Sequence, residues 1–233
     1  MCFSAAVSFS AAAALIPAGG VALYRASKVD RRYLPLCGLP ILFGVQQFLE
    51  GMVWSAGAHA DAATVARYSL AYMFFSWLAW PIWVPVSGLF LEPSRRRPLY
   101  LTFVIAGAIL GGVLYIPYFA HDGWLVTRFL DYAIRYEDIE LLDAITRREV
   151  TYMIYVTIII LPLLISSARE ARIFGVLVAV VLAITYLFFR YAYVSVFCFG
   201  GAIVSAYLVY MIFTKAPPEK VAASCEDALP RPC

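Results

Sequence analysis

The stretch that decides the fold is ILFGVQQFLEGMVW, residues 41–54, an apolar run that contains two amides and one carboxyl group. It belongs to a longer apolar segment, 34–57. Crossing about 30 Å of hydrocarbon takes about 20 mainly apolar residues, each of which rises about 1.5 Å along a helix. The segment is therefore long enough to span a membrane, and its three polar side chains require an explanation.

The whole chain is unusually apolar. Of its 233 residues, 63% are hydrophobic and 14% are charged, whereas a soluble domain usually has about 45–50% apolar and about 25% charged residues. One compact core cannot bury this excess, so membrane lipid must cover much of it. The composition predicts an all-α polytopic membrane protein. The net charge of +3 is small and no basic run is interleaved with aromatic residues, so we expect no nucleic-acid partner.

Seven segments qualify as membrane-spanning helices by length and apolarity. They are 5–24, 34–57, 65–91, 98–119, 149–167, 172–190 and 192–213. The connector 120–148 is long, and its apolar residues match neither the helical nor the strand period. We expect a short amphipathic helix or a hairpin that covers the outer mouth of the bundle, or else a solvated spacer. The Pro-rich, polar tail, 214–233, is predicted to be disordered and cytoplasmic.

The distribution of basic residues predicts the orientation. With the amino end outside, twelve of the 18 Lys and Arg residues lie on the inner side and six on the outer side. Cytoplasmic loops carry the excess of Lys and Arg in membrane proteins. The first basic cluster, 25–32, follows the first apolar segment instead of preceding it. That segment is therefore predicted to be an uncleaved anchor and not a signal peptide.

In this orientation Glu50 lies in the outer third of the second span. An acidic residue at a helix centre costs about 2.5 to 3.5 kcal/mol on insertion, whereas each Leu, Ile, Phe or Val contributes only about 0.3 to 0.6 kcal/mol. Because one acid cancels most of the apolar gain, we expect the Glu50 carboxyl group to face the bundle interior. Gln46 and Gln47 lie four and three residues before Glu50, so both amides can flank it on one helix face.

Two interpretations of this cluster remain open. It is either a structural hydrogen-bonded knot that joins helices through a protonated Glu50, or a site for a ligand, ion or proton. In the second case Glu50 is the charged centre and Gln46 and Gln47 orient the ligand. Arg190, near the outer end of the sixth span, could pair with Glu50 or extend to lipid headgroups.

Cysteine and tryptophan residues are further candidates. Cys2 and Cys198 are predicted to lie at a similar depth, where they could stay separate buried thiols, form a disulfide or bind a soft metal. In the third span, Trp77, Trp80 and Trp83 recur every three residues beside two prolines. These rings could line a cavity along a kinked helix, or they could simply pack against neighbours.

Several cofactor classes are excluded. The two histidines, His59 and His121, both fall in predicted outer connectors, which excludes a bis-histidine haem within the bundle and a three-histidine zinc site. The seventh span lacks the lysine that retinal requires. The sequence contains no Gly-rich phosphate loop and no nucleophile elbow. Any other cofactor remains unknown.

Four motifs together resemble an uncharacterised family of bacterial membrane proteins that open with Met-Cys-Phe-Ser-Ala. They are MCFSAAVSF at 1–9, FGVQQFLEGMVW at 43–54, the Trp- and Pro-rich third span, and FCFGG at 197–201. The resemblance covers residues 1–213, without the tail. It implies a bacterial envelope protein, which we expect to be a multi-pass protein of the cytoplasmic membrane, and, because that family has no assigned activity, it identifies no catalytic residues in this chain.

The leading functional hypothesis is a transporter or sensor that binds a small molecule or ion at a polar site in the outer half of the bundle. One alternative is a membrane enzyme that uses Glu50 as general acid or base on a lipid-like substrate. The other is a structural or assembly factor in which the polar cluster only fixes the helix register.

Overall fold

The structure, a computed structural model, describes residues 4–131, 133–137, 147–189 and 192–215, which form a helical bundle with a small hairpin. The helices are α1 (Ala5–Val29), α2 (Leu34–Ala58), α3 (Ala62–Met73), α4 (Trp80–Leu91), α5 (Arg97–Ala120), α6 (Arg148–Leu164), α7 (Arg169–Phe188) and α8 (Tyr193–Thr214). A six-residue π-helical turn, Phe74–Ala79, joins α3 to α4. The hairpin consists of the antiparallel strands β1 (Val126–Phe129) and β2 (Ile134–Glu137).

Within the described residues, six helical segments are long and apolar enough to cross a membrane. They are α1, α2 with the turn before it, the continuous α3–α4 segment, α5, α7 and α8. Helix α6 is also apolar but has 17 residues, and it ends at Leu164 and not at the predicted residue 167. The chain is thus a helical, multi-pass integral membrane protein.

Part of the long connector forms the β1–β2 hairpin, which is one of the two structures that the sequence left open. The hairpin packs against the bundle. Ile134 is fully buried, the Phe129 ring lies over Trp54 with 5.7 Å between ring centroids, and Thr127 Oγ1 donates a hydrogen bond of 2.7 Å to Ser69 Oγ. The hairpin therefore covers the ends of α2 and α3. Residues 138–146 of the connector lie outside the described ranges.

Prolines in the third span free backbone carbonyl groups that its neighbours accommodate. Pro81 has no N–H, and the N–H of Trp80 bonds to the carbonyl of Phe75 in the π-helical register. The freed carbonyl of Ser76 accepts a hydrogen bond from the Tyr155 hydroxyl of α6. Such compensation by neighbouring helices is what allows proline in a membrane span.

Two glycines of α5 lie against the carbonyl groups of Trp77 and Pro81. These carbonyl groups lack the usual helical N–H donor because prolines follow them four residues later. A Cβ atom added at Gly107 would lie 1.9 Å from the carbonyl oxygen of Pro81, and one added at Gly111 would lie 2.9 Å from that of Trp77. Gly107 and Gly111 are four residues apart, so they share one face of α5. Their missing side chains let α5 approach the α3–α4 segment closely, as small residues do at many membrane helix interfaces.

Hydrogen bonds around Glu92 join two connectors at one end of the bundle. Its side chain is fully buried after α4, and its Oε1 atom accepts hydrogen bonds of 2.7 Å from the Ser166 hydroxyl and from the Ser167 N–H before α7. Arg96 donates a hydrogen bond of 3.2 Å to the carbonyl of Ile165. The α4–α5 and α6–α7 connectors therefore lie side by side.

The end of α8 lies at the same end of the bundle. Lys215 Nζ is 2.7 Å from Glu170 Oε1 of α7, and the Tyr33 hydroxyl donates a hydrogen bond of 3.0 Å to Glu170 Oε2. Partial burial of Lys215 opposes its charge, but the contacts with Glu170 and Tyr33 outweigh this effect and raise its pKa above the ordinary value. The α1–α2 connector, the start of α7 and the end of α8 therefore meet at this end of the bundle. We call it the basic end because its connectors and helix starts carry Arg31, Arg32, Arg95, Arg96 and Arg169.

Candidate functional site

The Glu50 carboxyl group faces the bundle interior, as the desolvation cost predicts. Its residue is 2% exposed. Ser195 of α8 donates a hydrogen bond of 2.5 Å to Glu50 Oε1, and Gln47 Nε2 donates one of 3.2 Å to Glu50 Oε2. Within the described residues no Lys, Arg or His forms an ion pair with Glu50. The carboxyl group is therefore held by neutral donors.

Gln46 has different partners from those that the sequence predicts. Its Nε2 atom donates to Ser76 Oγ at 3.0 Å and to Cys198 Sγ at 3.3 Å. Only Gln47 flanks the carboxyl group, so the expectation for Gln46 is wrong. The reason lies in the antiparallel pairing of α2 with α8, because Gln46 lies one turn before Glu50 and meets Cys198, which lies one turn after Ser195.

Two tyrosines complete this cluster on the side of the hairpin. Tyr72 of α3 is fully buried and packs with Met73 and Cys198. Tyr136 of β2 stacks on Tyr72, with 5.0 Å between ring centroids and an angle of 18° between the ring planes. Electrostatic contacts connect both tyrosines to Glu50 and Cys198. Through Tyr136 the hairpin covers the polar cluster.

The hydrogen bonding of this cluster is incomplete. Gln46 and Gln47 are both 0% exposed, yet their Oε1 atoms accept no hydrogen bond from the residues that the structure describes. The Tyr136 hydroxyl is likewise buried without a hydrogen bond there. An unpaired buried polar atom costs about 1–3 kcal/mol, so this arrangement requires an explanation.

The predicted tryptophans do not form one wall along the site. Trp77 packs against the group of Tyr72, Met73 and Cys198 and lies tilted on Tyr118 of α5, with 4.7 Å between ring centroids, whereas the buried Trp80 stacks on Phe43 of α2 at 4.2 Å. Trp83 donates a hydrogen bond of 2.9 Å from its indole N–H to the carbonyl of Pro35. Trp77 lies within the π-helical turn, whereas Trp80 and Trp83 belong to α4, and the three rings contact different neighbours.

The remaining predicted residues divide into two groups. Cys198 is a buried free thiol within the cluster. Cys2 and Arg190 lie outside the described residues, so the metal site at Cys2 and the ion pair of Arg190 with Glu50 stay predictions. In the part of the chain that the structure describes, no three His, Cys, Asp or Glu side chains gather where they could hold a metal ion.

Sequence reasoning missed Tyr72, Ser76 and Tyr136. A signal exists for the first two, because they are four residues apart and therefore share a face at the start of the π-helical turn. Tyr136 has no comparable signal, since it comes from a connector without a clear period. The hairpin brings it to the cluster through tertiary packing.

The site thus combines one carboxyl group, two amide oxygens without partners, serine and tyrosine hydroxyls and one thiol. Oxygen atoms dominate this set, and such hard ligands suit protons and hard cations better than soft metals. The π-helical turn contributes Ser76 to it, and π turns are frequent at functional sites.

Comparisons with known proteins yield one family. The model of a family of unknown function (DUF6629) matches residues 1–224. This match confirms the resemblance to an uncharacterised family, and it extends past residue 213 into the tail. No curated protein and no solved structure matches the chain.

Proposed function

We propose that this chain, which belongs to the DUF6629 family of unknown function, binds a small molecule or ion at the Glu50 cluster and acts in transport or sensing. The observation that carries this proposal is the pair of buried amide oxygens, on Gln46 and Gln47, that have no hydrogen-bond donor among the described residues. Gln47 flanks a buried carboxyl group that is bonded to neutral donors, and Gln46 lies one helical turn before it.

The incomplete hydrogen bonding favours a binding site over a structural knot. A polar network that only fixes helix register is stabilising when every member is satisfied, and a half-satisfied network is worse than an apolar core. Here Gln46, Gln47 and Tyr136 each retain an unpaired polar atom within the cluster that contains Glu50. A ligand that supplies positive charge or donors would satisfy the amide oxygens and the carboxyl group together.

The Glu50→Gln variant is expected to lose the stabilisation that the ligand provides. Glutamine keeps the shape of glutamate and one accepting oxygen for Gln47, and its amide N–H can donate to the Ser195 hydroxyl, so the variant should fold, but it lacks the charge. A ligand at 100 times its Kd stabilises a protein by about 2.7 kcal/mol, which corresponds to a rise in Tm of about 5–10 °C for a chain of this size. The measurement is thermal unfolding of the purified chain against metal ions, lipids and metabolites.

Glu92→Gln is the matched control, because Glu92 is equally buried but lies at the opposite, basic end of the bundle. This variant is expected to have a lower basal Tm but to respond to the same ligand. If Glu50→Gln keeps every ligand response of the parent chain, the proposal is wrong.

We also propose seven spans, with the amino end outside, in a bacterial cytoplasmic membrane. Helix α5 leads away from the basic end and α7 starts at it, so α6 has to cross back between them. Its 17 residues reach about 26 Å, which is close to the thickness of the hydrocarbon core. The excess of Lys and Arg in the connectors at the basic end favours the cytoplasm for that end.

A cysteine at position 122 is expected to react with a membrane-impermeant thiol reagent in intact cells, whereas one at position 95 should react only after the cells are permeabilised. Asp122 and Arg95 are both exposed, and they lie after α5 and before it. Each variant, Asp122→Cys and Arg95→Cys, is compared with the parent chain to subtract the native thiols. The reverse pattern would contradict the orientation, and equal labelling would contradict a crossing by α5.

A further inference from the structure

We infer that the ligand of the Glu50 cluster is a dehydrated monovalent metal cation, bound by the Glu50 carboxylate and the amide oxygens of Gln46 and Gln47 in exchange with a proton. This inference rests on the proposed function and specifies its ligand class.

The charge of the site selects a single positive charge. Glu50 is the acid in the cluster, and its hydrogen-bond partners Gln47 and Ser195 are neutral. Among the residues that the structure describes, the other titratable groups that face it are the hydroxyls of Tyr72 and Tyr136 and the thiol of Cys198, and these groups are neutral near pH 7. One buried negative charge is balanced by one positive charge, whereas a divalent ion would leave a net charge of +1 in a medium where charge is costly.

The available oxygen atoms match the coordination that an alkali cation needs. Carbonyl oxygens that replace the hydration shell bind potassium in channel filters, and carbonyl groups of broken helices coordinate sodium in transporters. Gln47 Nε2 donates to Glu50 Oε2 at 3.2 Å, so the Gln47 side chain reaches the carboxylate, and a rotation of its amide presents the unpaired oxygen to a cation there. The Gln46 oxygen belongs to an amide bonded to Ser76 and Cys198, one helical turn away.

Burial of these ligands requires that the cation lose its water. Glu50, Gln46 and Gln47 are each at most 2% exposed, and the stacked rings of Tyr72 and Tyr136 cover the cluster on the side of the hairpin. Oxygen atoms with lone pairs that accept no hydrogen bond are what a dehydrated cation requires in place of its hydration shell. A proton competes for the same site, because a protonated Glu50 has no charge with which to balance the cation.

The test uses the purified full chain in lipid nanodiscs, with Na⁺ and K⁺ as probes. Ionic strength is held constant with choline chloride, and Tm is measured at pH 6 and at pH 8. We expect at least one of the two cations to raise Tm in a saturable manner by about 5–10 °C relative to choline. The cation concentration at half-effect should be higher at pH 6, because protons compete for the carboxylate.

Variants identify the ligands. Glu50→Gln should abolish the cation response, and Gln47→Leu should raise the half-effect concentration at least tenfold, whereas Glu92→Gln should leave that concentration unchanged. If Glu50→Gln does not fold, the cation concentration at half-effect is measured for Gln47→Leu and Ser195→Ala instead, and it should be higher in both than in the parent chain. A response to Na⁺ or K⁺ that persists at full strength in Glu50→Gln and Gln47→Leu overturns the inference.

Other outcomes separate this inference from the proposed function. If only a divalent ion or an organic compound stabilises the chain in a Glu50-dependent manner, the monovalent cation is wrong and the binding site remains. If the alkali response is present only after Arg190→Gln, the native charge partner of Glu50 is Arg190, and the inference is overturned. If no compound acts through Glu50, the inference and the proposed function both fail.

Discussion

Replacing Gly107 by alanine is expected to lower the free energy of unfolding by about 2–3 kcal/mol, the upper range for overpacking a close-packed interface. The new Cβ atom would lie 1.9 Å from the carbonyl oxygen of Pro81 and 2.6 Å from its carbonyl carbon. Both atoms belong to the backbone, so no side chain can rotate away and α4 and α5 must separate. The measurement is thermal unfolding in detergent, where Tm should fall by about 5–10 °C.

Gly112→Ala on the same helix is the matched control. A Cβ atom at Gly112 would contact only Ile116 of its own helix, at 3.6 Å, which is an ordinary van der Waals distance. Alanine is the better helix former by about 0.5–1 kcal/mol, so this variant should be as stable as the parent chain or slightly more stable. The two substitutions are chemically identical, and their effects should have opposite signs. If the two variants were equally stable, α5 would not lie as close to the carbonyl group of Pro81 as the structure indicates.

Local patterns are sufficient to predict the helices of this fold. Apolar runs of about 20 residues identify the spans because the membrane imposes both length and apolarity on a crossing helix. The same local logic predicts that Glu50 turns inward, since lipid offers it no partner. The spacing of three residues between Gln47 and Glu50 then correctly predicts their contact.

The partners on other helices could not be predicted in the same way. Gln46 bonds to Ser76 of the π-helical turn and to Cys198 of α8, and the spacing of residues along α2 carries no information about either partner. Spacing rules assume an unbroken α-helix, so they also grouped the three tryptophans on one face. Tyr136 reaches the cluster only through a hairpin whose docking depends on contacts far apart in sequence.

Replacing Ile134 by alanine is expected to make the Cys198 thiol about 100-fold more reactive toward a small thiol reagent. Ile134 is 0% exposed, and a buried Ile→Ala change costs about 2–5 kcal/mol. Tyr136 of β2 and Leu125, which directly precedes β1, pack against the group of Tyr72, Met73 and Cys198, so the thiol becomes accessible when the hairpin opens. If the substitution lowers the free energy of hairpin opening by about 2.7 kcal/mol, the population of the open hairpin increases about 100-fold, because about 1.4 kcal/mol changes an equilibrium constant tenfold.

A control residue and an internal reporter separate hairpin opening from global unfolding. Val126→Ala removes a side chain that is 44% exposed on the same hairpin, so it should change the Cys198 labelling rate only a few-fold. Cys37 is fully buried in the main core, away from the hairpin, and its labelling should remain slow in both variants. Labelling at each cysteine is followed by mass spectrometry of the corresponding peptide. Parallel acceleration at Cys37 and Cys198 would mean that Ile134 stabilises the whole bundle, and an unchanged rate at Cys198 would mean that the thiol is not reached through the hairpin.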